Sequence, residues 1–262
     1  MYLQNEYVDR KVSLNIKNVS KKYLQPHTNR VHTVLENINI QILEGEIVTI
    51  LGKSGCGKST LLNLIAGFEN SYGGEILLNG KKVNDISPER IMMFQESALF
   101  PWLTAYQNIE IALKLAKVPK AQREEIVMNY LEIVGLSDYS HSYIHQLSGG
   151  MKQRVALARA LSLNPKVLLM DEPFAALDIT IKKSLYQELL ALHNKHKKTI
   201  IFVTHNINEA VLLGDRVIVM SPLVYGIKNQ YVIDIPKNER DDNNPIIKNI
   251  IKNITADLYE NN

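Results

Sequence analysis

The stretch Gly52-Lys53-Ser54-Gly55-Cys56-Gly57-Lys58-Ser59-Thr60 fits G-x-x-x-x-G-K-[ST], the spacing of a phosphate-binding loop. Glycines at 52, 55 and 57 leave room for backbone N–H groups to surround phosphate oxygens, and a helix opening directly after them adds the positive end of its dipole. Lys58 is placed to reach the β- and γ-phosphates, and the Ser59 hydroxyl to ligate Mg²⁺. The loop follows the apolar run Ile47-Val48-Thr49-Ile50-Leu51, which reads as a buried strand. It precedes Leu61-Leu62-Asn63-Leu64-Ile65, a run suited to a buried helix. Strand, glycine loop, helix is the context the motif requires, and it implies a bound nucleoside triphosphate.

Two further stretches carry chemistry. Met170-Asp171-Glu172-Pro173 ends an apolar strand with two carboxylates. In a phosphate-loop protein the first holds Mg²⁺, often through water, and a neighbour can take the proton of an attacking water. Alone, the pair fits an acidic turn at a strand end equally well. Leu147-Ser148-Gly149-Gly150-Met151 opens a helix with a capping serine and two glycines that expose backbone N–H groups. That is a second anion-binding helix end, and two phosphate-reading sites in one chain need an explanation.

Composition narrows the class. Thirty Lys+Arg against 27 Asp+Glu leave a formal charge of +3 on 262 residues, and the basic pairs are short and scattered, so nucleic acid is not an expected partner. Cys56 is the one cysteine, which excludes an intramolecular disulfide and suits a reducing compartment. It reads as a small loop residue whose place over the phosphates would make it sensitive to alkylation. Residues 1–10 lack the apolar core of a signal peptide. No apolar run has the length of a membrane span, so work at a membrane would need something else to hold the chain there.

The elements that position these residues follow from period and punctuation. Val12–Ile16 and Val34–Ile42 alternate as one-sided antiparallel strands, and Glu75–Leu78 is a short strand between turn signals. Ile91–Phe94 is a further strand. Helices are expected around Ile126, Val127, Tyr130, Leu131 and Val134, from near Ser148 through Leu161, and over Ile181–Leu192. Val167–Met170, Thr199–Val203 and Arg216–Met220 are continuous apolar runs of the parallel-sheet kind. The expectation is an α/β fold: a phosphate-loop, RecA-like core with an antiparallel β subdomain over 1–95 and 160–225, and an inserted helical subdomain over 96–159. Residues 226–262 read as a polar, Asn- and Lys-rich tail.

Together, the phosphate loop, the serine–glycine helix start and the paired carboxylates resemble the ATP-binding-cassette (ABC) ATPases. The resemblance covers about residues 12–222, with motifs in the family's order. It implies that Tyr23 stacks on adenine and that Gln95 touches Mg²⁺. It assigns Asp171 to Mg²⁺, makes Glu172 the catalytic glutamate, and sets His205 on the γ-phosphate. Ala176-Leu177-Asp178 matches the loop that communicates across a dimer, and Ser148, Gly149, Gly150 and Met151 match the signature that closes over the nucleotide of a second subunit. Taken singly, Tyr23 reads as a packed surface aromatic, Gln95 as a strand-end polar residue and His205 as a cap or a ligand alike; their joint order carries the weight.

Two positions depart from the common pattern: Met151, where glutamine is usual, and Asn206, where aspartate is common. The stretches 147–154, 94–104 and 169–174 look like the nitrate, sulfonate and taurine importer branch, which includes importers of thiamine-precursor-like solutes. The implied assembly is a homodimer, or a pair with a close relative, on transmembrane permease subunits at the cytoplasmic face of the membrane. ATP and Mg²⁺ are the implied ligands, and a solute-binding protein works indirectly with the assembly. Leu99-Phe100-Pro101-Trp102-Leu103 either borders a permease-docking groove or fills the helical core. A single-cassette ATPase of an assembly system, with no transport, is the rival reading.

Overall fold

The computed structural model describes residues 10–24, 30–175, 177–222, 225–240 and 243–259. Along the first part run β1 (Val12–Leu24), β2 (Val31–Leu43), β3 (Ile47–Gly52), α1 (Lys58–Ala66), β4 (Gly73–Leu78), β5 (Lys81–Lys82) and β6 (Arg90–Met93). Then come α2 (Ala105–Leu115), α3 (Lys120–Ile133), α4 (Gly149–Ser162), β7 (Val167–Asp171) and α5 (Ile179–His196). The chain closes with β8 (Thr199–Thr204), α6 (Ile207–Leu213), β9 (Arg216–Ser221), β10 (Gly226–Val232) and α7 (Pro245–Tyr259). Contacts gather these elements into two units: residues up to Ile86 with those from Lys197 onward, and Ser87–His196.

In the first unit, β1 and β2 are antiparallel, pairing Ile16 with Ile40 and Val19 with Ile38, and β4 adds to the other edge of β1. Both strands run longer than their alternation predicts. Asn18 and Asn37 take positive φ (50° and 51°), a conformation asparagine tolerates, and the register shifts there. The shifted backbone finds partners: the Asn18 N–H donates to Asn39 Oδ1 at 3.0 Å, and the Asn37 N–H to Ser20 Oγ at 2.9 Å. On β1 the period-2 reading stops at Ile16, just before the bulge at Asn18, although the strand continues to Leu24.

The second sheet of this unit places β3 between β8 and β9, parallel to both, with Ile50 opposite Val203 and Ile218. Every residue of β3 and β8 is buried, as strands covered on both faces require. The carboxyl end of β3 feeds the phosphate loop and α1, the edge at which open α/β sheets bind ligands.

The segment expected to be a polar tail is packed structure. β10 pairs antiparallel with β9, and α7 buries Ile247 and Ile254 with Ile233 and Ile235 against Leu51, Val211, Val217 and Val219. Ile246, Ile247, Ile250, Ile251, Ile254 and Leu258 stand at helical spacing, but the Asn and Lys between them mask the stripe in the composition. Asn244 opens the helix, its Oδ1 accepting the Ile246 N–H at 3.0 Å.

In the second unit, β6 and β7 are parallel, with Met93 opposite Met170. A separate apolar cluster joins α2, α3 and α4 through Ile109, Leu113, Val127, Leu131, Val155 and Ala158. Thr104 caps α2 in a reciprocal capping box with Gln107. The helix expected near Ser148 is α4, capped by that serine and running past residue 159 to Ser162. Of the 99–103 run, Leu99 packs on this cluster while Trp102 stays 69% exposed.

Candidate functional site

The phosphate loop is fixed by steric facts at three glycines. A Cβ on Gly52 would stand 2.5 Å from Cys56 Sγ and 2.8 Å from the Met220 carbonyl. At Gly57 (φ 95°) it would stand 2.6 Å from Leu35 Cδ2, while Gly55 (φ 80°) has space around it but a backbone that favours glycine. Gly57 is also the N-cap of α1 and supplies no side-chain cap, so the helix meets its ligand with first-turn N–H groups that no cap satisfies. Lys58, 6% exposed, donates from Nζ to the carbonyls of Gly52 (2.8 Å) and Lys53 (3.1 Å). An ammonium has three donors, and the third is left for a phosphate oxygen. Lys53, Ser54 and Ser59 are exposed and Thr60 half-buried. The cradle fits a polyphosphate.

Cys56 corrects an expectation. It is 1% exposed, and burial pushes its thiol up against the smaller opposing pull of the Lys58 charge, so it is a packed thiol rather than a reactive one.

Tyr23 is tethered beside α1. Its hydroxyl donates to Glu69, 2.8–2.9 Å from both carboxylate oxygens, and it also hydrogen-bonds Thr60. Burial first, then the Glu69 carboxylate, pushes its pKa up. The Lys21 ammonium lies 4.6 Å from the ring centroid and 2.8 Å from Glu69, and it donates to the Ser71 carbonyl at 2.7 Å. Although burial alone would raise it, Glu69 is held below its ordinary value by Lys21 and Tyr23. Glu69 was not singled out in the sequence. A carboxylate 46 positions from its tyrosine leaves no local signature.

His205 follows β8 in a locked turn. Thr204 Oγ1 accepts the Asn206 N–H at 3.0 Å and donates to Glu209 at 2.6 Å, while Asn206 Oδ1 accepts the Glu209 N–H at 3.1 Å. Asn206 is thus the N-cap of α6, a role that asparagine and aspartate fill equally well.

In the second unit, Asp171 ends β7, and Glu172 sits directly after it at φ 46°, a left-handed backbone that costs a non-glycine residue about 1–3 kcal/mol. The turn is over-determined. The Glu172 carbonyl accepts the Ala175 N–H at 3.1 Å, and Phe174, 1% exposed, packs edge-on to Tyr186 of α5. Asp178 Oδ1 accepts the N–H groups of Thr180 and Ile181, both at 3.0 Å, and so opens α5; Ala176 lies outside the described residues.

Ser148 and Gly149 are exposed at the start of α4, and the Ser148 hydroxyl accepts the Met151 N–H at 3.3 Å. Gly150 is buried, and a Cβ there would stand 2.6 Å from Ile181 Cγ2. Met151 packs on the helical cluster, as a methionine can where glutamine is usual. Gln95 is exposed, and its backbone is held by α4: Gln153 Nε2 donates to the Gln95 carbonyl at 3.1 Å. Arg159 donates to the carbonyls of Ala98 (2.9 Å) and Ser97 (3.0 Å), with Ala98 itself at φ 45°. The contacts of Gln153 and Arg159 escape a motif-based reading because their partners are some 60 positions away.

The fold and loop geometry agree with comparisons against known proteins. The profile of the ABC transporter family matches residues 35–175. Over 210 residues (79% of this chain, 75% of the relative) the chain is 45% identical to the bicarbonate transport ATP-binding protein CmpD of Synechococcus elongatus. Over 218 residues (83% and 81%) it is 41% identical to the taurine import ATP-binding protein TauB of Roseobacter denitrificans. Among solved structures, the dimeric cassette MJ0796 superposes at a TM-score of 0.74 with 33% identity, covering 85% of this chain and all of that one. The same cassette in a post-hydrolysis state with ADP and Pi gives 0.73. The branch resemblance therefore holds, and this chain belongs to the ABC transporter family as one of its ATP-hydrolysing cassettes.

Proposed function

We propose that this chain is the ATPase subunit of an importer for a small solute, working as a pair of cassettes on a separate transmembrane permease. One observation carries the reading: a single chain holds two anion-ready helix starts of different kinds. α1 opens with no side-chain cap behind a loop gripped by Lys58, and α4 opens on exposed Ser148 and Gly149. The first reads the phosphates of the chain's own nucleotide. The second reads the γ-phosphate of the nucleotide held by the other cassette.

The roles follow from donor chemistry. Tyr23 stacks on the base, its other end fixed by Glu69. Lys58 and the amides of residues 55–60 neutralise the phosphates. Ser59, Gln95 and Asp171 supply hydroxyl, amide and carboxylate oxygens, a set that suits a hard cation. Mg²⁺, if held by these groups, would supply positive charge against the phosphates. Glu172 takes a proton from the attacking water, and His205 contacts the γ-phosphate and orients that glutamate, while Ser148, Gly149 and Gly150 donate from the partner's side and Asp178 links the two sites. This is positioning and electrostatics, set by rigid turns.

The relatives named for bicarbonate and taurine support a small solute carrying an oxyanion, the nitrate-, sulfonate- and taurine-like class; a thiamine-precursor-like solute is the neighbouring possibility. No described helix is long and apolar enough to cross a membrane, so the assembly needs permease chains to reach the cytoplasmic face, and a solute-binding protein to select the cargo. Exposed Trp102 and Phe94 offer apolar surface for that docking.

The test begins with Glu172→Gln. Turnover is expected to fall at least about a hundredfold, as for a lost general base, while ATP drives a stable dimer detectable by light scattering; unchanged turnover removes Glu172 from that role. Affinity purification from detergent-solubilised membranes is expected to recover a multi-span permease. Recovery with soluble partners alone supports the assembly-ATPase rival.

A further inference from the structure

The buried guanidinium of Arg240, in the segment between β10 and α7, lies against the far end of the helix that follows His205. Arg240 is 9% exposed. Its Nη1 donates to the Val211 carbonyl at 2.9 Å, to Leu212 at 3.4 Å and to Gly214 at 2.5 Å. Nε and Nη2 donate to Ile235 (2.9 Å) and Ile233 (3.1 Å), so the same fork ties the C-terminal segment to α6. α6 has only seven residues, Ile207–Leu213, and the final carbonyls of a helix lack intrahelical partners. A cation is the partner best suited to that end of the dipole.

The rest of α6 is anchored from two sides, since Thr49 Oγ1 of β3 donates to the Ala210 carbonyl at 3.1 Å and the C-terminal segment packs on the helix as well. Ala210 and Val211 pack with Ile233, Ile235, Ile247 and Ile254 in one apolar cluster. Lys237 pairs with Asp215 at 2.8 Å, and the Asp215 carbonyl accepts the Ile233 N–H at 2.9 Å. At its other end α6 is capped by Asn206, the residue directly after His205.

We propose that Arg240 is a positioning residue for ATP hydrolysis: by fixing the C-terminal end of α6 it sets the place of His205 at the helix's other end. The segment after β9 is then a working part of the nucleotide site rather than an appendage. The proposal rests on the role given to His205 above.

A double-mutant cycle tests it. His205→Ala, Arg240→Met and the double variant are compared by kcat and KM for MgATP, each normalised to the fraction that binds nucleotide. Arg240→Met is expected to lower kcat on the order of tenfold to a hundredfold, the scale of a roughly ångström misplacement, with KM little changed. In the His205→Ala background the same substitution is expected to cost almost nothing more, because the two act through one group. Arg240→Lys, which keeps the charge and part of the hydrogen-bonding, is expected to recover part of the loss, and it serves if the methionine variant does not fold. Multiplying losses in the double variant, or full kcat in Arg240→Met, overturns the brace. Full turnover in His205→Ala instead overturns the role of His205, and this proposal with it.

Discussion

Gly150 is where packing and chemistry predict different things, and Gly150→Ala separates them. The new methyl would stand 2.6 Å from Ile181 Cγ2, a distance real Cβ atoms do not adopt, and Ile181 is β-branched and stiff. Overpacking of this kind costs about 1–3 kcal/mol. Removing a helical glycine returns up to about 1 kcal/mol, so from the middle of that range, about 2 kcal/mol, the net destabilisation is about 1–2 kcal/mol. At roughly 2–4 °C per kcal/mol for a chain of this size, Tm is expected to fall by roughly 2–8 °C. The second substitution decides the cause. Ile181→Ala removes Cγ2 and also Cδ1, which lies 3.6 Å from the new methyl, but keeps Cβ at an ordinary 3.9 Å. The pair Gly150→Ala/Ile181→Ala is therefore expected to be more stable than the sum of the single losses by about 1 kcal/mol or more. Thermal unfolding followed by circular dichroism reads this directly. Additive losses, or a Gly150→Ala variant that melts like the parent, refute the steric account. ATP turnover of the rescued pair then isolates what the glycine contributes to phosphate reading.

Other outcomes follow from the same contacts. Iodoacetamide at pH 8 is expected to label Cys56 at least about tenfold more slowly in the folded chain than in denaturant, since the thiolate is the nucleophile and burial opposes it; equal rates contradict the packing described. Tyr231 donates to Asp257 of α7, and its pKa is raised from 10.0 to about 12, first by burial and then by that carboxylate. A folded-state pKa above the unfolded one contributes stability in full below pH 10 and loses it as pH rises toward 12. The stability gap between the parent and Tyr231→Phe is thus expected to be level up to pH 10 and to close by pH 12, and a gap that stays level through pH 12 removes the Tyr231–Asp257 bond as its source. Asn206→Asp keeps the cap acceptor of α6, so turnover within about twofold is expected; a large loss in steady-state assays means the amide does more than cap.

Chemistry that depends on identity at fixed local spacing was written in the sequence. Gly52, Gly57, Lys58 and Ser59 stand at the fixed spacing of a phosphate-binding loop, so residue order alone made the loop legible, although the atoms that demand glycine at 52 and 57 belong to Cys56, Met220 and Leu35. The strands Ile47–Leu51 and Thr199–Val203 were legible too, because a parallel strand buried on both faces tolerates little but apolar residues. Other features are held by partners far along the chain. Gln95 is fastened by Gln153, 58 positions on, and Arg159 holds Ser97 from 62 positions away. Glu172 takes a left-handed backbone because buried Phe174 and Tyr186 fix the turn around it, and nothing in its side chain announces that. β10 and α7 looked like a polar tail because pairing with β9 and cover over Val217 and Val219 exist only once the sheet is built. The sequence by itself determined the phosphate-loop pattern and its strand–loop–helix setting; the tertiary structure decided how rigidly those groups are held, since that depends on contacts with no local period to betray them.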